Sequence, residues 1–593
     1  MQNVSQEWKD NQDSLLVGES DIEVSLKLTD PDAYEDASAT DNGHVYFADT
    51  NHIVSDGIKK INPYATLERN LWLLDGSRKV VPASNYGEVG FVDDGICSSN
   101  RTFTANPIIS INFSKVHTNL LQGVTIIWSD FLNEYAEEFK ITAYNGTNVV
   151  AEKTVTENTS LTSAVMVDIL NYNKITVEII KWSIPFRRAR VDEIFIGANV
   201  IFSKKDIFSY SSSYNADPIS AELPKSEVSF SLNNINKTFN PYNNEGLSKY
   251  LLERQEISVK YGFKLNNSIE WINGGKFYLS EWDAKQGGIG ADFSARDLLE
   301  FMTDTYNKGL YNPNGTSLYA LAESVLLDAD LPLNSDGTVK WHIDEKLKNI
   351  YTVAPLPLDT HSNCLQMIAN AGGCVMYQDR EGTLRITSLS STVTDYTVND
   401  FNSYSKSDLS LSKPLKQVEV PFYSYSVATE LTELFKGVMT INGTNNVLIT
   451  YSGTATNVTA TVTNGTLNSA TYYSNACVLN ITASGNVTIN VKGYNLESSS
   501  AMITIVESDK GETITLDNPL ITSQDRAVTI GSWVKDYMKN RMSLSLNWRA
   551  DPRLDALDII NNENEYGVNH MIMTTVSYSY NGAFRGSGEG RVI

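Results

Sequence analysis

Val228-Ser229-Phe230-Ser231-Leu232 alternates apolar and polar residues without a break, and this pattern decides the class of the fold. Successive side chains of a β-strand point to opposite faces, so such a segment buries one face and exposes the other. The same alternation recurs in Gln255–Phe263 and Gly275–Trp282. The 30 Tyr and 20 Phe, with frequent Val, Ile and Thr, add residues that favour strands. We therefore predict a mostly β protein.

The length and the charge of the chain narrow its class further. Its 593 residues exceed the roughly 250–300 that one hydrophobic core serves, so we expect several domains. A composition of 41% hydrophobic and 20% charged residues is typical of a folded globular protein. The formal net charge of -23 opposes binding to nucleic acid through bulk electrostatics and opposes docking on an anionic membrane.

The sequence carries no targeting or membrane signal. Its first twenty residues have neither a basic region nor an apolar core, and no run approaches the roughly 20 apolar residues of a membrane span. We expect a protein without a membrane anchor that is made in a cytoplasm. Four cysteines are scattered without a CxxC pair, so we expect reduced thiols and no disulfide framework.

Two stretches read as separate β-sandwiches. Short strands with turns between them are predicted at Ile108–Phe113, Val124–Trp128, Phe139–Tyr144, Val165–Ile169, Ile175–Lys181 and Ile194–Ile196. Residues 440–506 are rich in Thr, Asn, Val, Gly and Ser with almost no charge, which is typical of a small immunoglobulin-like module. Strand-rich segments flank this second stretch, so we interpret it as an insertion.

The helix signals concentrate in the second half of the chain. Ser317 caps one predicted helix, and a second helix beginning near Cys364 stops at Gly372-Gly373. A hairpin turned at Asp379–Gly382 follows, which indicates a small α/β unit. Ser523 caps a third predicted helix near the end of the chain.

The chain shows no convincing catalytic or metal-binding motif. It contains no HExxH, no GxSxG and no phosphate-binding loop, and its six histidines are scattered. The carboxylate pairs Asp555 with Asp558 and Glu563 with Glu565 are expected by chance among 70 acidic residues. We expect no catalytic residues, no metal and no cofactor. Sequons occur at Asn145, Asn442 and Asn464, and we interpret these as asparagines in turns.

One aromatic set points to glycan binding. Trp128, Trp182, Arg187 and Arg190 fall within the first predicted sandwich, where aromatic faces can stack on sugar rings while arginines bond hydroxyls. The competing interpretation places the tryptophans in the sandwich core and pairs the arginines with acidic groups. Buried Trp is the commoner outcome, and we favour it.

Three sets of motifs resemble known families. Phe239-Asn240-Pro241, Glu253-Arg254-Gln255, Gly275–Trp282 and Ala295-Arg296-Asp297-Leu298-Leu299 resemble the core of the baseplate tail hub proteins of phages that infect Gram-positive hosts. Trp548–Asp558 and Tyr580–Gly586 resemble the closing strands of the same family. Asp75–Gly197 resembles a discoidin-type jelly roll. The hub resemblance covers about half of the chain.

The hub resemblance implies two small β-barrels joined by a small α/β unit. Together with the two predicted sandwiches, it gives a mostly β, multidomain fold with an inserted jelly roll and an inserted Ig-like sandwich. The expected domains are an N-terminal segment with a strand joining the first barrel (1–74), the jelly roll (75–200), the first barrel (201–300), the α/β domain (301–410), the start of the second barrel (411–439), the Ig-like sandwich (440–506) and the rest of the second barrel (507–593). Residues 1–30 should then pair with 202–300 across the jelly roll.

The same resemblance implies a function as a structural virion protein of a tail tip. Such hubs are homotrimers whose barrels form a pseudo-sixfold ring, which binds distal tail and tail-tube proteins above and a spike or fibre below. Genome DNA passes through the lumen without specific binding. The two insertions depart from the family pattern and leave open a host cell-surface glycan as a further partner.

Two alternatives remain open at this point. The chain could be a carbohydrate-binding adhesin or receptor-binding tail protein that acts through the jelly roll. It could also be a secreted polysaccharide-degrading enzyme, although no signal peptide and no convincing acid pair support this.

Overall fold

A computed structural model describes most of the chain, and antiparallel strands dominate it. The described residues are 1–15, 17–29, 33, 36–48, 53–54, 64–69, 71, 79–80, 90–118, 120–129, 132–243, 247–248, 251, 254–265, 268–285, 287–329, 331, 339–549 and 551–593. The predicted domain start at residue 75 and the motif residues Glu253 and Ala550 lie outside them. The mostly β, multidomain prediction is confirmed.

The strands are numbered in chain order. The first are β1 (Ser20–Thr29), β2 (Ser38–Asp41), β3 (Val45–Ala48), β4 (Tyr64–Ala65), β5 (Lys79–Val80), β6 (Phe91–Asp93), β7 (Ile108–His117), β8 (Leu121–Trp128), β9 (Ala136–Asn145), β10 (Asn148–Val155), β11 (Thr162–Ile169), β12 (Tyr172–Trp182) and β13 (Arg190–Ser203). Next are β14 (Ile207–Asn215), β15 (Lys225–Asn233), β16 (Glu256–Leu265), β17 (Ser268–Asp283), β18 (Gly290–Arg296), β19 (Thr305–Tyr306), β20 (Thr316–Ser317), β21 (Trp341–Ile343), β22 (Tyr351–Thr352), β23 (Asp359–Thr360), β24 (Val375–Gln378), β25 (Leu384–Thr387), β26 (Val393–Val398) and β27 (Asp408–Leu411). The last are β28 (Leu415–Thr450), β29 (Ala455–Thr463), β30 (Thr466–Tyr472), β31 (Ala476–Val506), β32 (Glu512–Thr515), β33 (Met542–Arg549), β34 (Ile559–Asn564), β35 (Gly567–Tyr580) and β36 (Phe584–Val592).

The helices are short and begin at capped residues. The α-helices whose bounds the structure describes are α1 (Gln6–Gln12), α2 (Leu318–Asp328), α3 (His361–Ala371) and α4 (Gln524–Met538). The predicted caps Ser317 and Ser523 are confirmed, since each side chain accepts a hydrogen bond from the backbone N–H three residues on. The predicted stop of α3 is also confirmed, with Gly372 as its cap and Gly373 at φ +57°, a conformation that glycine adopts without strain.

Two strand groups form the frame of the molecule. The first group orders its strands β13-β1-β16-β17-β18-β15-β14, and the second orders them β26-β34-β35-β36-β33-β27. They are joined where β14 pairs with β35, and one hydrophobic core runs through both. The predicted pairing of the N-terminal segment with 202–300 is confirmed by the ladder between β1 and β16.

A two-sheet sandwich branches from the first group. One sheet orders β10-β9-β12-β7-β2, and the other contains β11, β8, β13, β6 and β3. The sandwich core includes Ala39 and Ile53, so its packing begins well before the predicted start at residue 75. Its other predicted boundary, residue 200, falls inside β13, whose first part belongs to the sandwich and whose last part pairs with β1.

The α/β unit has a larger core than its predicted bounds of 301–410. Buried side chains from the start of β28 and from α4 pack together with α2 and α3, for example Val418, Val420, Ile530 and Val534. The packing therefore differs from the expectation that 411–439 and all of 507–593 belong to the second barrel. The reason is that α4 lies across β28 and β31, a tertiary contact that strand periodicity does not reveal.

The segment predicted as an Ig-like insertion is the far end of one long hairpin. Strands β28 and β31 pair from Gln417–Val506 to Thr450–Ala476, with β29 and β30 added to the far side of β31. Residues from both halves of the hairpin end share one core. The sheet therefore folds over on itself, and Gly443 (φ +84°) and Gly485 (φ +136°) lie where it bends. We call residues 434–495 the hairpin tip.

Candidate functional site

The two strand groups and the α/β unit meet at Arg380. This residue lies in the turn between β24 and β25, which enters the joint between the groups. Its guanidinium donates to the carbonyl of Asn273 in the first group at 3.0 Å. It also donates to two carbonyls of the second group, those of Pro552 at 2.7 Å and Leu554 at 2.5 Å, and its Nε lies 2.5 Å from Asp555 Oδ1. One buried side chain thus ties three parts of the fold.

Tyrosines surround this guanidinium. Its carbon lies 5.1 Å from the ring centre of Tyr214, 5.8 Å from Tyr261 and 5.7 Å from Tyr578, distances at which cation–π attraction acts. Burial by itself would lower the pKa of Arg380, but the Asp555 carboxylate and the three phenol oxygens raise it above its ordinary value. The guanidinium of Arg380 therefore stays positively charged, and Asp555 and the tyrosines stabilise this charge.

A cleft of about 420 Å³ opens beside this joint. It is lined by Asp379, Arg385, Asp555 and Asp558 among others. Asp379 and Arg385 pair at 2.5 Å, and the Met1 amino group lies 2.7 Å from Asp558 and 3.4 Å from Asp555. Burial and the neighbouring Asp555 carboxylate raise the pKa of Asp558. Asp379, Asp555 and Asp558 are thus engaged in ion pairs within the chain.

The structure places the predicted glycan-binding residues in the interior of the sandwich. Trp128 and Trp182 are fully buried, and their indoles donate to Ser163 Oγ at 2.8 Å and to Glu134 Oε2 at 2.9 Å. Rings without exposed faces cannot stack on a sugar. The glycan interpretation is therefore wrong for both tryptophans, and their core interpretation is confirmed.

The two predicted arginines hold loops in place. Arg187 Nε donates to Glu134 at 3.1 Å, and the buried Arg190 pairs with Glu68. Burial raises the pKa of Glu134, whereas at Glu68 the effect of burial is outweighed by Arg190, which lowers the pKa. These pairs connect three separate segments of the sandwich, so Arg187 and Arg190 act as positioning residues for loops.

The second strand group ends in an open edge. Strand β27 pairs with β33 on one side, and among the described residues no strand pairs with its other side. Leu409 and Leu411 of this strand are 56% and 63% exposed, and Phe401 and Tyr404 just before it are also exposed. We call residues 401–411 the free edge. An exposed, apolar strand edge is a template for pairing with another chain.

Two of the histidines pair with carboxylates, and the four cysteines are buried. His117 and His361 lie 2.9 and 3.0 Å from Asp36 and Asp328, and His52 lies outside the described residues. The four cysteines are buried and form no disulfide; burial raises the pKa of Cys364 to about 12 and that of Cys374 to about 11. In the part of the chain that the structure describes, no cluster of three potential ligands could hold a metal. No helix there is long and apolar enough for a membrane span.

The sequence itself matches no family model and none of the curated proteins. Similar solved structures include the 43 kDa tail protein of prophage MuSo2 from Shewanella oneidensis (10% identity, TM-score 0.38, 66% of this chain and 95% of that one). Others are a tail protein from Neisseria meningitidis MC58 (8%, 0.38, 65% and 92%) and a prophage tail protein from Listeria monocytogenes EGD-e (10%, 0.35, 67% and 91%). All three are described as tail proteins, and two of them come from prophages.

Proposed function

We propose that this chain is a structural, non-catalytic component of a phage tail tip, in which three copies form a hub ring. The ring joins the tail tube and distal tail proteins to a spike or fibre, and DNA passes through its lumen. The hub motifs of the sequence, from Phe239-Asn240-Pro241 to Tyr580–Gly586, support this proposal, and the virion is the corresponding location.

The observation that carries the proposal is the shared frame of the two strand groups. They are joined by the ladder of β14 and β35, share one core and are tied again by the buried Arg380. A ring that meets a sixfold tube with three subunits needs two similar, rigidly connected units in each subunit. Continuous pairing and a common core supply that rigidity.

The free edge is the surface on which we propose that the next subunit docks. Leu409, Leu411, Phe401 and Tyr404 give it the apolar and aromatic character of interface cores. Pairing with a neighbouring copy would also satisfy the open backbone groups of β27. The net charge of -23 fits a lumen along which DNA slides without binding.

Mass photometry of the full chain tests the assembly. A trimer of the 65.7 kDa chain has three times that mass, or about 197 kDa. We expect this species for the unchanged protein and a monomer for the double variant L409E/L411E. The control L327E changes an equally exposed leucine on α2 and should remain trimeric. If the double variant remained trimeric, the contact between subunits would not be at the free edge. If the unchanged protein were a monomer, the ring would be refuted.

Immunogold electron microscopy of phage particles tests the location. Gold at the tail tip is the expected result. Unlabelled particles, with the protein free or on cells, would refute the hub and favour the adhesin.

A further inference from the structure

The hairpin tip contains a long stretch without any charge. From Gly437 to Val491, 55 residues in succession include no Asp, Glu, Lys, Arg or His. At the chain-wide fraction of 20% charged residues, a stretch of this length would carry about 11 charges. Most of this segment is strand with outward-facing polar side chains, so burial does not explain the absence. A surface that excludes both signs of charge in an acidic protein is suited to contact with a neutral partner.

One outward face of the tip carries a connected network of amides and hydroxyls. Asn446 of β28 lies opposite Asn480 of β31, and Asn480 Nδ2 donates to Asn446 Oδ1 at 2.6 Å. Asn468 of β30 donates to Asn480 Oδ1 and to Thr482 Oγ1, both at 2.8 Å. Thr482 Oγ1 lies 2.8 Å from Thr444 Oγ1. The network crosses three strands. We call these five residues the amide–hydroxyl face.

The spacing of the sequons explains why these groups share a face. In Asn480-Ile481-Thr482 the first and third residues lie two apart on a strand, so their side chains point the same way. Asn442-Gly443-Thr444 repeats the pattern on the paired strand. The expectation that sequon asparagines lie in turns is therefore wrong for Asn442, which lies within β28.

An apolar row borders the amide–hydroxyl face. Leu448 lies opposite Val478, two residues beyond Asn446 and Asn480 on their strands, and Leu448 is 48% exposed. The hydrogen-bonding amides and hydroxyls of the face therefore lie next to the aliphatic side chains of Leu448 and Val478. A sugar ring presents the same two features, hydroxyls at its rim and C–H groups on its faces.

The orientation of the tip is fixed by buried contacts with the α/β unit. Ser474 N–H donates to the carbonyl of Gly309 at 2.8 Å, and Tyr311 N–H donates to Ser474 Oγ at the same distance. Asn475 Nδ2 donates to the carbonyl of Leu356 at 2.8 Å, and both Ser474 and Asn475 are buried. The tip thus presents a preorganised surface, which lowers the entropy cost of binding.

We infer that the amide–hydroxyl face binds a neutral saccharide. A charged side chain that is buried under a neutral ligand loses its hydration and gains no opposite charge, which costs free energy. This cost accounts for the absence of charged residues in the segment. Each Asn can form four hydrogen bonds and each Thr three, so the network retains capacity for hydroxyls. The inference does not depend on the hub assignment, because the face is complete within one chain.

Binding of the full chain to a printed oligosaccharide array tests this. The neutral set holds hexose, deoxyhexose and N-acetylhexosamine oligomers, and the charged set holds uronate-containing and sialylated ones. We expect binding within the neutral set. The variant N446A/N480A should weaken it about tenfold, the effect of roughly two lost hydrogen bonds. The matched control T461V/T463V changes exposed residues on β29 and should bind like the unchanged protein.

Thermal melting of the variants separates loss of binding from loss of folding. Asn446 is exposed and Asn480 is partly exposed, so their replacement should change the melting temperature little. A variant that unfolds is replaced by N446D, whose charge opposes a neutral ligand on an intact sheet. The inference is overturned if no neutral oligosaccharide binds, if only the charged set binds, or if N446A/N480A and N446D bind normally. It is also overturned if the variants alter the mass of the assembly while saccharide binding is absent, since the face would then contact protein.

Discussion

Replacing Arg380 by methionine should open the joint between the two strand groups. The substitution keeps most of the side-chain volume but removes the ion pair with Asp555 and the donors to the carbonyls of Asn273, Pro552 and Leu554. Removing one partner of a buried ion pair costs roughly 3–5 kcal/mol. Asp555 is 25% exposed and regains some hydration, so we expect the lower end, about 3 kcal/mol.

Hydrogen exchange measures this cost where it arises. A protein of several units does not unfold in one step, so a global free energy of unfolding is not the right quantity. The amide of Leu557 donates to the carbonyl of Met573 at 2.7 Å and lies next to the joint. A loss of about 3 kcal/mol in the free energy of local opening should accelerate its exchange roughly a hundredfold.

Arg385 provides a matched control. It lies in the strand that follows the same turn and pairs with Asp379 at 2.5 Å, but its side chain is 37% exposed. Such pairs contribute about 0–1 kcal/mol, so R385M should change the exchange rate less than about fivefold. R380K keeps the charge without the planar fork and should fall between the two. Equal effects of R380M and R385M would refute the reasoning that the buried guanidinium ties the joint.

Three further predictions concern the attached units and pH. Thr29 and Gly197 are partners in the ladder of β1 and β13, so a two-residue Asn-Gly turn can replace residues 30–196. We expect the shortened protein to be soluble and to show the far-ultraviolet circular dichroism of a β protein. The shorter deletion of residues 76–197 leaves Ala39 without the rest of the sandwich core, so we expect this variant to precipitate. If both variants were equally soluble, the observed boundary of the sandwich would be wrong. Burial raises the pKa of Asp297 to about 7, so the folded state holds this proton more tightly than the unfolded state does. The free energy of local opening should therefore fall as the pH rises from about 4 to 7, and D297N should flatten that slope. Hydrogen exchange of the amide of residue 297, which donates to the carbonyl of Ser226 at 2.9 Å, measures the slope, and an unchanged slope would exclude Asp297 as its source. N475A should free the hairpin tip from the α/β unit, with protease cleavage appearing near its stem while the rest stays resistant; cleavage identical to that of the unchanged protein would contradict the docking role of Asn475.

Local signals predicted local structure well. Ser317 and Ser523 cap helices because a side-chain oxygen three residues before a free N–H is a short-range arrangement that the sequence shows directly. The alternation in Val228–Leu232 likewise predicts β15, since side-chain direction follows from strand geometry alone.

Long-range packing accounts for what the sequence did not reveal. Arg380 was recognisable as a turn residue, but the carbonyls that it bonds lie more than 100 positions away in the chain. The stretch 440–506 was recognised by composition, yet its strands begin at Leu415 because pairing continues through polar residues without a turn signal. Residue type favoured a core position for Trp128 and Trp182 without identifying their partners, and the tertiary structure shows both to be fully buried.

Strand β13 has a mechanical consequence. Its first residues are bonded within the sandwich and its last residues within the frame, so one unbroken strand belongs to both bodies. A force that pulls the sandwich along the axis of β13 acts in shear on the ladder between β13 and β1. The hydrogen bonds of this ladder then bear the force at the same time. In a peeling geometry the same bonds would break one after another. When the sandwich is pulled, β13 is therefore an element through which force reaches the frame.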